Sequence, residues 1–122
     1  MGQERRQSAR SSTQLVAVVK NMATGNVRRW LTKNLSGLGL CLVADESLQR
    51  GTRLEVELTL PDAAEPLTLM AEVIWIMTVE ASRKSYEMPK VELGVRFIDP
   101  PKTTHDLLNQ YAVLTAAPTE LP

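Results

Sequence analysis

The stretch "RLEVELTL", residues 53–60, decides the fold class. Apolar and polar residues alternate along it without a break, with leucine or valine at each even-numbered position. Because neighbouring side chains of a strand point to opposite faces, this alternation predicts a strand with one buried face and one solvated face. Sheets that keep one face wet are typically antiparallel, so the sequence indicates an antiparallel β protein.

Further segments on either side of this stretch also predict strands, because they are rich in apolar residues and are bounded by turn-forming residues. They are residues 14–20, 27–33, 38–44, 67–79 and 91–98. Residues 103–114 predict a helix, because apolar residues recur there at helical spacing. Short strands followed by one helix favour a mainly β fold, either a small barrel or a sandwich that the helix caps or flanks.

The composition limits the classes of function. The chain has 122 residues, 43% of them apolar, and a formal net charge of zero. This length predicts a single domain with one hydrophobic core. Zero net charge and few aromatic residues argue against a nucleic-acid-binding barrel, which would hold phosphates on a basic surface. We therefore expect no nucleic-acid partner.

The chain contains one cysteine, Cys41, and one histidine, His105. They provide neither an intrachain disulfide nor a cluster of metal ligands. Because no acid–base or nucleophilic set can be assembled around them, we expect no catalytic residues, no metal and no enzymatic activity. Cys41 lies in an alternating apolar segment and is predicted to be an inert core residue.

The N-terminal segment is polar and basic. We expect residues 1–12 to form a flexible basic N-terminal arm, residues 13–115 the β domain with its terminal helix, and residues 116–122 a disordered tail. The N-terminus "MGQERRQSAR" lacks the apolar run of a secretory signal, and no segment approaches the roughly 18 apolar residues of a membrane span. These features predict a cytoplasmic protein with no membrane partner.

The arm carries Arg5, Arg6 and Arg10 against one glutamate. A guanidinium group is a planar fork that matches phosphate oxygens and the O6/N7 edge of guanine, and it can also stack on a purine. Considered alone, a basic terminus is more commonly a solvated tail. The arm by itself therefore predicts no ligand.

The segment "LTKNLSGLGLCLVA", residues 31–44, places small and polar residues between two predicted strands. As alternate residues of a strand, Asn34 and Ser36 are expected to point to the same face. Gly39 has no side chain, so a ligand or another backbone can approach it closely. The pattern fits the floor of a site for a planar polar ligand, although ordinary turn chemistry is the more common explanation of such residues.

Two tryptophans and one glycine need separate interpretation. Trp75 lies among apolar neighbours in "VIWIM" and is predicted to pack in the core or to anchor a sheet face rather than to stack on a base. Trp30 is predicted to be a half-buried strand residue. Gly94 in "ELGVRF" predicts a bulge or a close approach.

The arm and the turn together resemble the two motifs of the PilZ domain, the bacterial receptor module for cyclic di-GMP (c-di-GMP). "RQSAR" has the form R-x-x-x-R, and "NLSGLG" has the form [D/N]-x-S-x-x-G, in that order along the chain. The segments "GTRLEVELTLPD", "AEVIWI" and "ELGVRFID" also resemble later strands of the family. The resemblance therefore extends over nearly the whole chain, from about residue 4 to about residue 114.

The resemblance implies a six-stranded antiparallel barrel with a C-terminal α-helix and an arm that folds over a nucleotide on the outer surface. The arginines would grip phosphate and guanine, and the turn would meet the other guanine and phosphate region. The ligand-binding residues implied are Arg5, Arg6, Arg10, Asn34, Ser36, Gly37 and Gly39. Asn34 stands where many members of the family carry Asp.

The function implied by the resemblance is a second-messenger receptor that binds c-di-GMP without a cofactor. It would pass the signal to an unidentified protein partner as the arm becomes ordered. Some members of the family instead act as nucleotide-independent adaptors of type IV pilus or motility machinery, but such members usually lack the arginine arm. A monomer and a homodimer are both compatible with the sequence.

Overall fold

A computed structural model of the chain describes residues 14–61, 63–78 and 90–115, with side chains described as far as residue 113. These residues form six strands and one helix. The elements are β1 (Val16–Asn21), β2 (Val27–Leu35), β3 (Gly39–Ala44), β4 (Arg53–Leu58), β5 (Leu67–Thr78), β6 (Val91–Phe97) and α1 (Lys102–Thr115). Each predicted strand and the predicted helix is present, and the described ends differ from the prediction by one or two residues at most.

The strands pair antiparallel in a closed ring with the order β1–β2–β3–β6–β5–β4. The ladder between β1 and β4 closes the ring and pairs Val19 with Val56. Closure gives every strand two neighbours, although residues 74–78 of β5 extend past β4 and pair only with β6. Of the two architectures that the strand pattern allowed, the barrel is confirmed.

The inside of the barrel is filled by the apolar half of each alternating strand. Leu54, Val56 and Leu58 of β4 are fully buried, whereas the charged residues between them remain partly exposed. Leu60 lies beyond the end of the strand and still belongs to the core cluster. Burial of each such side chain contributes about 1.5–3 kcal/mol, so this core is the main source of the stability of the barrel.

Helix α1 packs against the barrel. It starts after Pro101, whose carbonyl accepts a hydrogen bond of 2.9 Å from the backbone N–H of His105. Leu108 is fully buried and joins the core cluster. On the solvent side Lys102 donates to Asp106 at 3.0 Å, and this bond holds the pKa of the carboxyl below its ordinary value.

The ladder between β2 and β3 contains a register shift. Thr32 pairs with Leu42 and Asn34 pairs with Cys41, so Lys33 is an extra residue on β2. An extra residue reverses the alternation beyond it. Asn34 therefore lies on the same outward side as Lys33, although strict alternation from the buried Thr32 would turn it inward.

The ladder between β5 and β6 contains a second shift. Val73 pairs with Val95 and Trp75 pairs with Gly94, so Ile74 is the extra residue on β5. Val73 is fully buried, whereas Trp75 is 40% exposed. The bulge has placed the indole on the outside of the barrel.

Candidate functional site

The predicted arm and tail lie outside the residues that the structure describes. This applies to residues 1–12 with Arg5, Arg6 and Arg10, and to residues 116–122. The roles assigned to the three arginines remain predictions. The site is therefore built here from the barrel side alone.

Ser36 holds the turn between β2 and β3 closed. Its side chain is 1% exposed, and its hydroxyl accepts a hydrogen bond of 3.1 Å from the backbone N–H of Leu38 and lies 3.4 Å from the carbonyl oxygen of Gly39. The backbone N–H of Ser36 donates to that same carbonyl at 2.9 Å. These bonds confirm the turn chemistry, and any ligand contact of Ser36 remains a prediction.

The predicted shared face of Asn34 and Ser36 does not follow from strand alternation, because β2 ends at Leu35. Asn34 is half-buried and lies on the outer side, whereas Ser36 is buried beneath the turn. The two side chains therefore serve different purposes in the fold. Of the two, Asn34 is the one that can reach a ligand on the outer surface without rearrangement of the turn.

Two glycines of the turn lie in close packing. A Cβ at Gly39 would overlap the carbonyl oxygen of Val95, so β3 and β6 can approach this closely only without a side chain there. A Cβ at Gly37 would lie 3.0 Å from Nε2 of His105, because helix α1 passes over the turn. The close approach predicted at Gly39 is thus made by another backbone.

Trp75 lies directly over Gly94 on the outer face. A Cβ at Gly94 would overlap the indole ring, so the absence of a side chain lets the ring lie flat against the strand. The predicted close approach at Gly94 is confirmed, and the bulge belongs to the neighbouring strand. Trp75 anchors a sheet face, as one of the two predicted alternatives proposed.

The pairing registers place four residues side by side across four adjacent strands. They are Asn34 on β2, Cys41 on β3, Gly94 on β6 and Trp75 on β5, which we call the outer row. Three strand spacings separate its ends, a distance of about 14 Å. Cys41 is buried, as predicted, but it faces this outer side and does not belong to the core cluster.

A shallow cavity of about 250 Å³ opens beside the outer row. Its lining includes Gly39, Gly94, Trp75 and Arg96. The remaining lining residues are Leu38, Leu40, Cys41, Ile74 and Val95. The cavity therefore combines an aromatic face and a guanidinium group.

Carboxylates pair two cations beside the outer row. Arg96 donates to Glu72 at 2.9 Å, and Lys33 donates to Glu92 at 2.9 Å. The bond to Glu92 and the attraction of its charge raise the pKa of Lys33 above its ordinary value. Because both cations are already neutralised, this part of the surface carries little net positive charge of its own.

Trp30 is more deeply buried than predicted. Its side chain points into the barrel and is 6% exposed, and its indole N–H donates to a carboxylate oxygen of Asp45 at 3.1 Å. The ring belongs to the core cluster. The two tryptophans thus lie on opposite sides of the barrel wall, and Trp75 is the accessible one.

Within residues 14–61, 63–78 and 90–115, no group of three or more His, Cys, Asp or Glu side chains is arranged to hold a metal ion. In the same part of the chain, no helix has the length and apolar character needed to cross a membrane.

The comparison with protein families gives a match over almost the whole chain. The model of the PilZ domain family matches residues 4–113. The matched range includes the arginines of the arm, the turn after β2 and most of the helix. Among curated proteins, none matches this sequence.

Solved structures share the fold. The PilZ domain of YcgR from Escherichia coli with c-di-GMP superposes with a TM-score of 0.72 at 19% identity, over 92% of each chain. The inhibitor of motility MotI/DgrA from Bacillus subtilis gives a TM-score of 0.70 at 22% identity, over 91% of this chain and 50% of that chain. MrkH from K. pneumonia gives 0.74 at 13% identity, over 93% of this chain and 51% of that chain. The chain spans about half the length of the last two proteins.

Proposed function

The chain belongs to the PilZ domain family, and from this premise we propose that it is a receptor for c-di-GMP. The observation that carries the proposal is the family match, because the matched residues 4–113 include both the arginine arm and the turn. The E. coli domain with which the barrel superposes was solved with c-di-GMP. We propose that the same ligand class binds here on the outer surface beside the turn.

We propose that the arginines of the arm bind the phosphates of the ligand. The two cations beside the outer row are engaged with Glu92 and Glu72, so the ligand charge needs further cations. Arg5, Arg6 and Arg10 supply them against one glutamate. Charge-assisted bonds are worth about 1.5–3 kcal/mol each, so four or five of them reach micromolar affinity, about 8 kcal/mol, after the arm is ordered.

The base contacts on the barrel are assigned first to Asn34. The bulge at Lys33 turns its amide to the outer side, opposite Cys41 of β3. An amide offers one acceptor and two N–H donors, whereas the carboxylate found in many family members only accepts. We propose that Asn34 binds one guanine edge through a mixed donor–acceptor pair, and that Ser36 and Gly37 contribute by fixing the turn.

We propose that the output of binding is a changed surface for a partner protein. An arm that closes over the ligand exchanges a solvated segment for an ordered one, which a partner can recognise. The B. subtilis relative is an inhibitor of motility, so motility machinery is one candidate for this partner. A nucleotide-independent adaptor is the competing function, and it predicts the same partners with and without c-di-GMP in pull-down experiments.

Isothermal titration calorimetry of c-di-GMP into the whole chain tests the proposed receptor. We expect saturable heat with a micromolar or lower Kd. Arg6→Ala and Arg10→Ala should each abolish or strongly weaken binding while circular dichroism stays unchanged. Arg29→Ala is the matched control, because this exposed arginine lies on β2 beside Val18 of β1. Absence of heat at tens of micromolar protein would contradict the proposal.

A further inference from the structure

Helix α1 covers the turn between β2 and β3 at Gly37. His105 and Asn109 lie four residues apart in the helix and therefore share one of its faces. A Cβ at Gly37 would lie 3.0 Å from Nε2 of His105 and 3.3 Å from the Cβ of Asn109, so this face lies against the backbone of the turn. On the other edge of the imidazole, Nδ1 lies 3.5 Å from a carboxylate oxygen of Asp106. The ring thus joins the helix to the turn.

Gly37 is enclosed on both sides. The hydroxyl of Ser36 accepts a hydrogen bond from the backbone N–H of Leu38 and so spans Gly37, which is itself buried. Among the described residues, the glycines with a positive φ are Gly25 and Gly51, so the backbone of Gly37 adopts a conformation open to other residues. The missing side chain therefore provides space for α1 and is not needed for an unusual backbone conformation.

Two adjacent faces of α1 have different roles. Leu108 and Ala112 are fully buried, and Leu108 joins the core cluster, so this pair anchors the helix to the barrel. The side chain of His105 is 38% exposed, so its contact with Gly37 adds much less to the buried core. The contact is instead made with the segment that we propose to bind the nucleotide.

We propose that His105 is a positioning residue of the nucleotide site, whose ring holds the turn in the geometry that binds c-di-GMP and thereby couples α1 to the site. This inference rests on the proposed receptor function. Asn34 lies three residues before Gly37, and Ser36, which fixes the turn, lies between them, so a displacement at Gly37 moves the proposed contacts. Because coupling is reciprocal, a nucleotide that moves the turn must also change the surroundings of the imidazole.

NMR on the parent chain tests the coupling without any substitution. The chain contains a single histidine, so the imidazole signals report on His105 alone. At constant pH, titration with c-di-GMP should shift these signals along the same binding curve as the amide signal of Gly37. Imidazole signals that stay in place while the amide signals of the turn move would overturn the inference.

Calorimetry on matched variants measures the contribution of the ring. His105→Ala should raise the Kd for c-di-GMP roughly 2- to 30-fold, the range expected for a residue that acts on a site without touching the ligand. Leu107→Ala is the control, because Leu107 is 48% exposed and lies two residues along α1, on a different face from His105. The control should bind as the parent chain does, and circular dichroism should be unchanged in both variants.

A double-mutant cycle tests whether His105 acts through the turn. Gly37→Ala places a Cβ against the imidazole, so the Kd should rise. When Gly37→Ala is combined with His105→Ala, the atoms nearest to the new Cβ are removed and the methyl group occupies part of the vacated space. The Kd should then rise by less than the product of the two single effects. Effects that simply multiply would show that the two residues act independently and would overturn the inference.

The outcomes separate the two proposals. A parent chain that binds c-di-GMP while His105→Ala keeps the same Kd overturns the role of His105 and leaves the receptor intact. A parent chain that gives no binding heat overturns the receptor and the role of His105 together.

Discussion

The two sides of the barrel are built differently. On the side formed by β1 and β4, the ladders to their neighbours run without a register shift. On the side formed by β2, β3, β6 and β5, two ladders shift, and Gly37, Gly39 and Gly94 each occupy a place that a side chain would crowd. Both sides contribute to one core, so the irregular side carries features that stability alone does not require.

In a β-barrel, irregular ladders mark the positions that the core does not explain. A regular ladder follows from the apolar alternation of its strands and is explained once the core is filled. A bulge disrupts the ladder locally, and a glycine weakens the strand that contains it. We expect such features to be retained where they position a side chain, a backbone or a ligand.

The largest expected effect is a loss of stability on the regular side. Leu54 is fully buried in β4, so Leu54→Ala leaves a cavity and should lower the free energy of unfolding by about 2–5 kcal/mol. Urea denaturation measures this change. The fraction that remains folded should bind c-di-GMP with an unchanged Kd, because β4 lies away from the outer row. A weakened Kd would show that the two sides are coupled.

The next effect combines stability and binding. The Cβ of Gly39→Ala would overlap the carbonyl oxygen of Val95, so β3 and β6 must separate. We expect the free energy of unfolding to fall by about 1–3 kcal/mol and the Kd to rise. Gly51→Ala is the control, because its φ of +92° is strained for alanine although nothing lies within 4 Å of the new Cβ. It should lose stability and keep the Kd.

Gly94→Ala should affect binding more than stability. The overlapping atoms belong to the exposed indole of Trp75, which can rotate away, whereas those at Gly39 belong to the backbone. The free energy of unfolding should therefore fall less than in Gly39→Ala. The Kd should rise, because the indole would be displaced from its place in the cavity beside Arg96. Parallel urea and calorimetric measurements test this, and an unchanged Kd would show that the position of the ring does not matter.

The smallest expected effect concerns the exposed pair of Lys33 and Glu92. The folded state raises the pKa of Lys33, so the pair stabilises the protein below the ordinary lysine pKa and loses this contribution as the pH rises through the raised value. Lys33→Met should shift the urea midpoint only slightly at neutral pH, because the Lys33 side chain is 56% exposed and solvent screens its charge. The difference between the variant and the parent should vanish at strongly alkaline pH. A difference that grows with pH would show that the charge pair is not its cause.

The strands could be predicted from the sequence because their signal is local. The alternation in residues 53–60 and the turn residues between segments fix where strands lie, and closure into a barrel agrees with the family resemblance. The bulges could not be placed in this way. Val73, Ile74 and Trp75 are all good strand formers, so nothing in their own segment indicates which residue is extra.

The sequence contains one sign of the bulge in β5. The predicted strand at residues 67–79 is much longer than the segment 91–98, and that segment contains Gly94 opposite its middle. The space over a glycine can accept a large ring from the adjacent strand. The sequence does not say which strand is adjacent to Gly94, so it does not identify the ring as that of Trp75. The burial of Ser36 could not be predicted from its own segment either, because it depends on the turn that brings the carbonyl of Gly39 close to Ser36.

Amide NMR on the isotopically labelled chain, with and without c-di-GMP, identifies the side of the barrel that the nucleotide contacts. We expect the largest chemical-shift changes on the outer row and its turn, at residues 34–41, 74–76 and 94–96. Residues 17–19 of β1 and 54–57 of β4 should change little. Changes concentrated on β1 and β4, or none at saturating nucleotide, would contradict the proposed site.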